Sequence, residues 1–270
     1  MKGLLRKIYL EIHWPVLYFS LGLATIMWLL TALLPKVLGD VHRVFDKIPF
    51  VKPLITALLG MDPGDELSAE MMQAFLWVHP TVLSLTWAQA LMYCTRMPAA
   101  EIDRGSVDFL LGLPVSRWKL YVSEAIGCVL SGAVILLVGF TGHLMAASSL
   151  QPDMRPGWFA LFGILSNLMA MYLAVCGLTF LISANSDRRG RAIGIMFAIL
   201  LASFLLNFLA QFWDPAKAVS FLSIMEYYRP AVVIKSGSFP WQDVAVLAVI
   251  TVVTWTTGGV IFKMRSICTV

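Results

Sequence analysis

"GWFALFGILSNLMAMYLAVCGLTFLIS", residues 157–183, contains no Asp, Glu, Lys or Arg, and "SDRRGR", residues 186–191, follows it almost at once. About 20 apolar residues are enough to cross the ~30 Å hydrocarbon layer of a bilayer as a helix. In lipid only helices and closed barrels satisfy their own backbone polar groups. The stretch shows no polar/apolar alternation, so it reads as a helix and not as a barrel strand.

Five further stretches are similarly apolar, with Glu124 and Asp243 as their only such charges, both near a start: 14–34, 75–95, 121–147, 192–212 and 243–262. Of 270 residues, 59% are hydrophobic and only 13% charged, where a soluble domain carries about a quarter charged. So much apolar surface has no aqueous core to hide in. Nine Trp and sixteen Phe suit membrane interfaces. The first stretch is too long for a signal-peptide core, and no small-residue cleavage site follows it. The net charge of +4 is too modest for a nucleic-acid footprint and suits basic loops at a membrane face. No repeat or linker divides the chain, so residues 1–270 read as one all-α polytopic domain with six transmembrane helices.

Basic residues set the orientation. With the N-terminus inside, segments 1–13, 96–120, 184–191 and 263–270 hold twelve of the 20 Lys and Arg. The longer outside segments, 35–74, 148–156 and 213–242, hold eight. The positive-inside rule then places both termini and the 96–120 segment in the cytoplasm. Leu4, Leu5, Ile8 and Ile12 share one helical face, with Lys2, Arg6 and Lys7 mostly on the other. This pattern predicts an interfacial helix over 1–13. "VKPLITALLG" and "MDPGDE" predict two short helices and a turn within 35–74. The 213–242 segment is expected to lie on or dip into the outer interface.

The loop before the third span is unlike the rest. "EIDRGSVDFLLGLPVSRWKLYVSE", residues 101–124, is charged, amphipathic and interrupted by Pro114. Ser106 can cap a helix, and Asp108 suits its first turn. Val107, Leu110 and Leu111 form an apolar stripe that Phe109 and Leu113 widen. Pro114 stops it, and Ser116 can cap the helix that continues into span three. Two turns are unstable alone in water. The apolar face must therefore meet headgroups, the protein's own helix feet or a cytoplasmic partner.

This stretch resembles the signature of type-2 ATP-binding-cassette (ABC-2) transporter permeases: a Glu, a Gly-Ser/Thr pair, then "LLxLPVSR". The matching residues are Glu101, Gly105, Ser106, Leu110, Leu111, Leu113, Pro114, Val115, Ser116 and Arg117. "MEYYRPAVVIKSG", residues 225–237, is similar to the family's outer segment before the last span. At Ser123-Glu124 the chain departs from the family, many members of which carry Lys there. The resemblance implies a permease subunit, in pairs (homo- or heterodimer), in the plasma (inner) membrane and in contact with lipid. A separate ABC ATPase would dock on 101–117, with Val107 in the coupling helix. ATP and Mg would belong to that partner, and the transporter would be an exporter. No GxxxxGK[ST] loop occurs in the chain, so no enzymatic role is expected of it.

Other classes fit less well. An ATP-independent secondary transporter or channel is the alternative. Ion-coupled carriers keep ionisable residues inside their spans, and 125–147 and the other span interiors have none of Asp, Glu, Lys or Arg. His13, His42, His79 and His143 lack metal-binding spacing, and His79 before Pro80 marks a helix entry. Gln89, His143, Asn167 and Asn207 are weak candidates for a substrate path, set against their ordinary use as glue between helices. Gly190 and Gly194 permit close helix approach. Cys94, Cys128, Cys176 and Cys268 have no paired spacing, which points to small buried residues and not to a disulfide framework or a metal site.

Overall fold

The computed structural model describes residues 2–47, 69–107, 109, 112, 114–155 and 157–266. The expected turn at "MDPGDE", and Cys268, lie outside these residues. Five helices are long and apolar enough to cross a membrane. The first, α1 (Lys2–Lys47), is a single helix through Pro15 and Pro35. At 1.5 Å per residue it is about 69 Å long, more than twice the hydrocarbon thickness. The sequence predicted a separate helix over 1–13 and a loop from residue 35. Neither break is seen. The Leu4/Leu5/Ile8/Ile12 stripe packs on the chain's own core, with Ile8 fully covered.

The expected second span is two helices, α2 (Ala69–Val78) and α3 (Pro80–Cys94). Pro80 supplies no backbone donor and disfavours helical geometry in the residue before it. His79 is accordingly extended, with ψ 132°, and its ring accepts from Thr81 N as the cap of α3. The stretch expected as a sixth crossing is thus broken, and neither half alone has the length of a span.

The rest of the bundle is α4 (Arg117–Ala147), α5 (Trp158–Ala184), α6 (Arg189–Leu209), a short α7 (Pro230–Ser236) and α8 (Trp241–Met264). The closest pairings are α1 with α4 and α5 with α8. Lipid gives no hydrophobic drive between helices, so small residues that allow close approach decide which faces meet. Gly139 and Gly142 on α4 receive Leu23 and the Ala24 backbone of α1. Gly258 and Gly259 on α8 receive Tyr121, and Trp118 also packs on Gly259. Gly190 and Gly194 on α6 face no atom within 4 Å.

The 213–242 segment dips into the bundle. Ile224, Met225, Tyr228, Ala231 and Val233 are buried. Tyr228 O–H donates to Trp77 O at 3.1 Å, and Arg229 pairs with Asp243 at 3.1 Å. Gly237, with φ 61°, ends α7 in the left-handed conformation that suits glycine.

Candidate functional site: the basic end of the bundle

The start of α1, the end of α3, the start of α4 and the α5–α6 turn converge at one end. There α3 gives way to a kinked segment, Arg96–Ala100, in which Met97 is extended (φ −137°, ψ 130°), and then to a single helical turn, Glu101–Asp103. Arg96 binds Glu11 of α1 and, at 2.5 Å, Glu124 of α4. It also lies 5.3 Å from the centre of the Tyr93 ring. The Glu124 side chain is only 4% exposed. Burial works against the charge on Arg96, but Glu124 and then Glu11 outweigh it and hold the guanidinium above its ordinary pKa. Sequence reading left Glu124 at the foot of span three. The structure places it inside the packing, paired with Arg96 just beyond the end of α3.

Glu101 is the next anchor. It accepts from Ser106 Oγ, and Lys7 stands 4.0 Å away. The bond described for the Ser106 hydroxyl thus runs back to Glu101. Gly105 has φ 70°, a conformation costly for any residue with a Cβ. Beyond that reversal Val107 turns inward, 1% exposed, while Phe109 is 85% exposed. Asp108, Leu110, Leu111 and Leu113 lie outside the described residues. Pro114 is exposed. Ser116 caps α4, accepting from Lys119 N at 3.3 Å, as its position predicted.

A second set of bonds holds this segment from behind. Arg189 N donates to Asp103 at 3.2 Å, and its side chain reaches Thr95 Oγ1 and Met92 O. Arg117 donates to the Arg265 carbonyl at 2.5 Å. Arg265 in turn donates to Ala184 O at 2.8 Å and pairs with Asp187. The polar contacts of Glu101 and Arg117 are therefore to neighbouring parts of this chain. A cavity of about 360 Å³ opens between Glu11, Gln89, Met92, Tyr93, Arg96 and Arg189.

The four weak path residues do not converge. Gln89 is buried and bonded at both ends of its amide: Tyr172 O–H donates to it at 2.6 Å, and it donates to Ser131 Oγ at 3.4 Å. His143 lies twelve residues from Ser131 along α4, about 18 Å away. Its Nδ1 is 2.9 Å from Thr31 Oγ1. Asn167 is fully buried with no hydrogen-bond partner at either end of its amide among the described residues, and Asn207 is half-buried on α6. A larger cavity, about 580 Å³, lies between α3 and α6, lined by Leu83, Trp87, Phe197, Leu200 and other almost wholly apolar residues.

What sequence reading missed is the cysteine cluster. Cys94 on α3, Cys128 on α4 and Cys176 on α5 bring their sulfurs within 4.8 Å of one another. They are far apart in sequence and carry no spacing signature. Only the packing of three helices reveals them.

Compared with known proteins, residues 26–267 match the family model described as ABC-2 family transporter protein. No curated protein and no solved structure matches the chain.

Proposed function

The chain belongs to the ABC-2 transporter family, a multi-pass membrane permease, and from that premise we propose that it is the membrane-spanning half of an exporter driven by a separate ATPase. The ATPase docks on residues 101–117 and holds the ATP and Mg. Both termini face the cytoplasm across the plasma (inner) membrane, and two permease chains pair.

The observation that carries this reading is the contrast between Val107 and Phe109. The segment is held from behind by Arg96, Arg189 and the Glu101–Ser106 bond, yet it presents a bare phenyl ring at the basic end of the bundle. A ring so exposed at a polar end is suited to a partner's groove. The bonds behind it would pass a push on the ring to α3, α4 and α6. The open glycines of α6 and the exposed apolar face of α1, including Leu17, Leu21 and Trp28, suit pairing with a second permease.

The test is copurification of an ABC ATPase subunit coexpressed with this chain. Phe109→Asp, and Leu110→Asp with Leu111→Asp, are expected to abolish copurification and ATP-dependent transport while the chain still inserts in the membrane. Undiminished binding and transport would overturn the docking reading. Ser116→Cys is expected to resist an impermeant maleimide in intact cells and to react in inverted vesicles. The reverse pattern would overturn the orientation.

A further inference from the structure

We propose that Cys94, Cys128 and Cys176 form a three-thiol binding site for a trivalent thiophilic ion, of the class represented by arsenite. The three residues come from α3, α4 and α5, and all are fully buried. The Cys94 and Cys128 sulfurs are 3.7 Å apart, and all three lie within 4.8 Å of one another. An atom at the centre of such a triangle would sit about 2.1–2.8 Å from each sulfur, a range that includes the ~2.3 Å of a metal–thiolate bond. Three soft sulfurs converging without a hard oxygen donor select a soft ion.

Charge decides which soft ion. Three thiolates carry three negative charges. A monovalent ion would leave two of them uncompensated, and a divalent ion one. Residual charge is costly in a low-dielectric membrane interior. Arg96, two residues from Cys94, offers no offset, since it is already bonded to Glu124 and Glu11. The polar group that touches the cluster is the Tyr172 hydroxyl, 3.7 Å from Cys128 Sγ. A trivalent centre gives a neutral complex. A divalent ion held linearly by two thiolates would also be neutral, but it needs sulfurs on opposite sides, not a close trio.

The chemistry balances without a redox step. Arsenite reaches the site as neutral As(OH)₃. Three S–H bonds and three As–O bonds break, three As–S bonds form, and three waters leave. Entry is from the basic end. Gln89 lines the 360 Å³ cavity there and accepts from Tyr172, whose hydroxyl touches Cys128. Met92 adds a thioether to the same wall, a soft group on the way in.

The experiment uses the full-length, reduced protein in detergent, incubated with arsenite and desalted. One arsenic per chain is expected. Its intact mass should show arsenic gained and three hydrogens lost, and that measurement needs no variant. Cys128→Ser and Cys176→Ala are expected to lower retention at least tenfold, and Cys268→Ser to leave it unchanged. Absence of the adduct, loss of only two hydrogens, or equal retention by Cys128→Ser would overturn the proposal. Cu(I) supplied as a parallel probe tests the charge argument: stoichiometric Cu(I) with arsenite rejected would overturn it. The site does not depend on ATPase docking, so a Phe109→Asp chain that loses its ATPase should still bind arsenic.

Discussion

Arg96 and Glu124 face each other at 2.5 Å where α3 exits and α4 has completed its first two turns. Because Arg96 also binds Glu11, one guanidinium ties α1 and α4 to the segment that leads into Glu101. A buried pair of this kind is costly to break from one side, since the survivor keeps its charge without a partner.

Arg96→Met is therefore expected to destabilise the protein by about 3–5 kcal/mol, read as a lower midpoint of thermal unfolding in detergent. Adding Glu124→Leu should recover most of that loss. A double variant no better than the single would show that the pair is not the source of the stability.

Gly105→Ala tests the reversal that separates Val107 from Phe109. Nothing within 4 Å would meet the new Cβ, so the expected cost is conformational, about 1–2 kcal/mol. It should appear as faster proteolysis after Arg104 with little change in the unfolding midpoint of the bundle. Gly105→Asn should be milder, because Asn tolerates that backbone better.

Glycines on α4 and α6 should behave differently. A Cβ at Gly132 would enter the Tyr172 ring, so Gly132→Ala is expected to cost about 1–3 kcal/mol. Gly194→Ala should stay within about 0.5 kcal/mol for the single chain. If two permeases meet along α6, Gly194→Cys should form a disulfide-linked dimer under mild oxidation in membranes.

Gln89→Leu removes the acceptor for Tyr172 O–H. A cost of about 0.6–2 kcal/mol is expected, and Tyr172→Phe in the same background should return part of it. Thermal unfolding of the four members of this cycle gives the coupling directly. Additive losses would mean that the 2.6 Å bond contributes nothing.

The crossings were legible because a bilayer imposes one rule on every residue in it: runs such as 157–183 can only be helices buried in lipid or protein. The Ser116 cap was legible for the same kind of reason, a local one. The cover that Ile8 finds on the chain's own core was not, because it depends on how distant helices pack. The break in the 75–95 stretch was half legible: Pro80 marked the entry of α3 but gave no sign of α2. The pairing of Glu124 was not legible, because it depends on Arg96 being carried back to it by the fold. The three sulfurs were invisible because their meeting depends on the lateral order of α3, α4 and α5.

The interruption at His79–Pro80 bears on how force would travel. A rod must carry displacement along its whole length, whereas a rod cut by a joint need not. The fifteen residues of α3 are stiff up to Pro80, where the missing donor removes a strut. Tilting at the basic end can be taken up as a change of angle there, leaving α2, pinned by Tyr228 on Trp77, as the fixed post against which α3 swings.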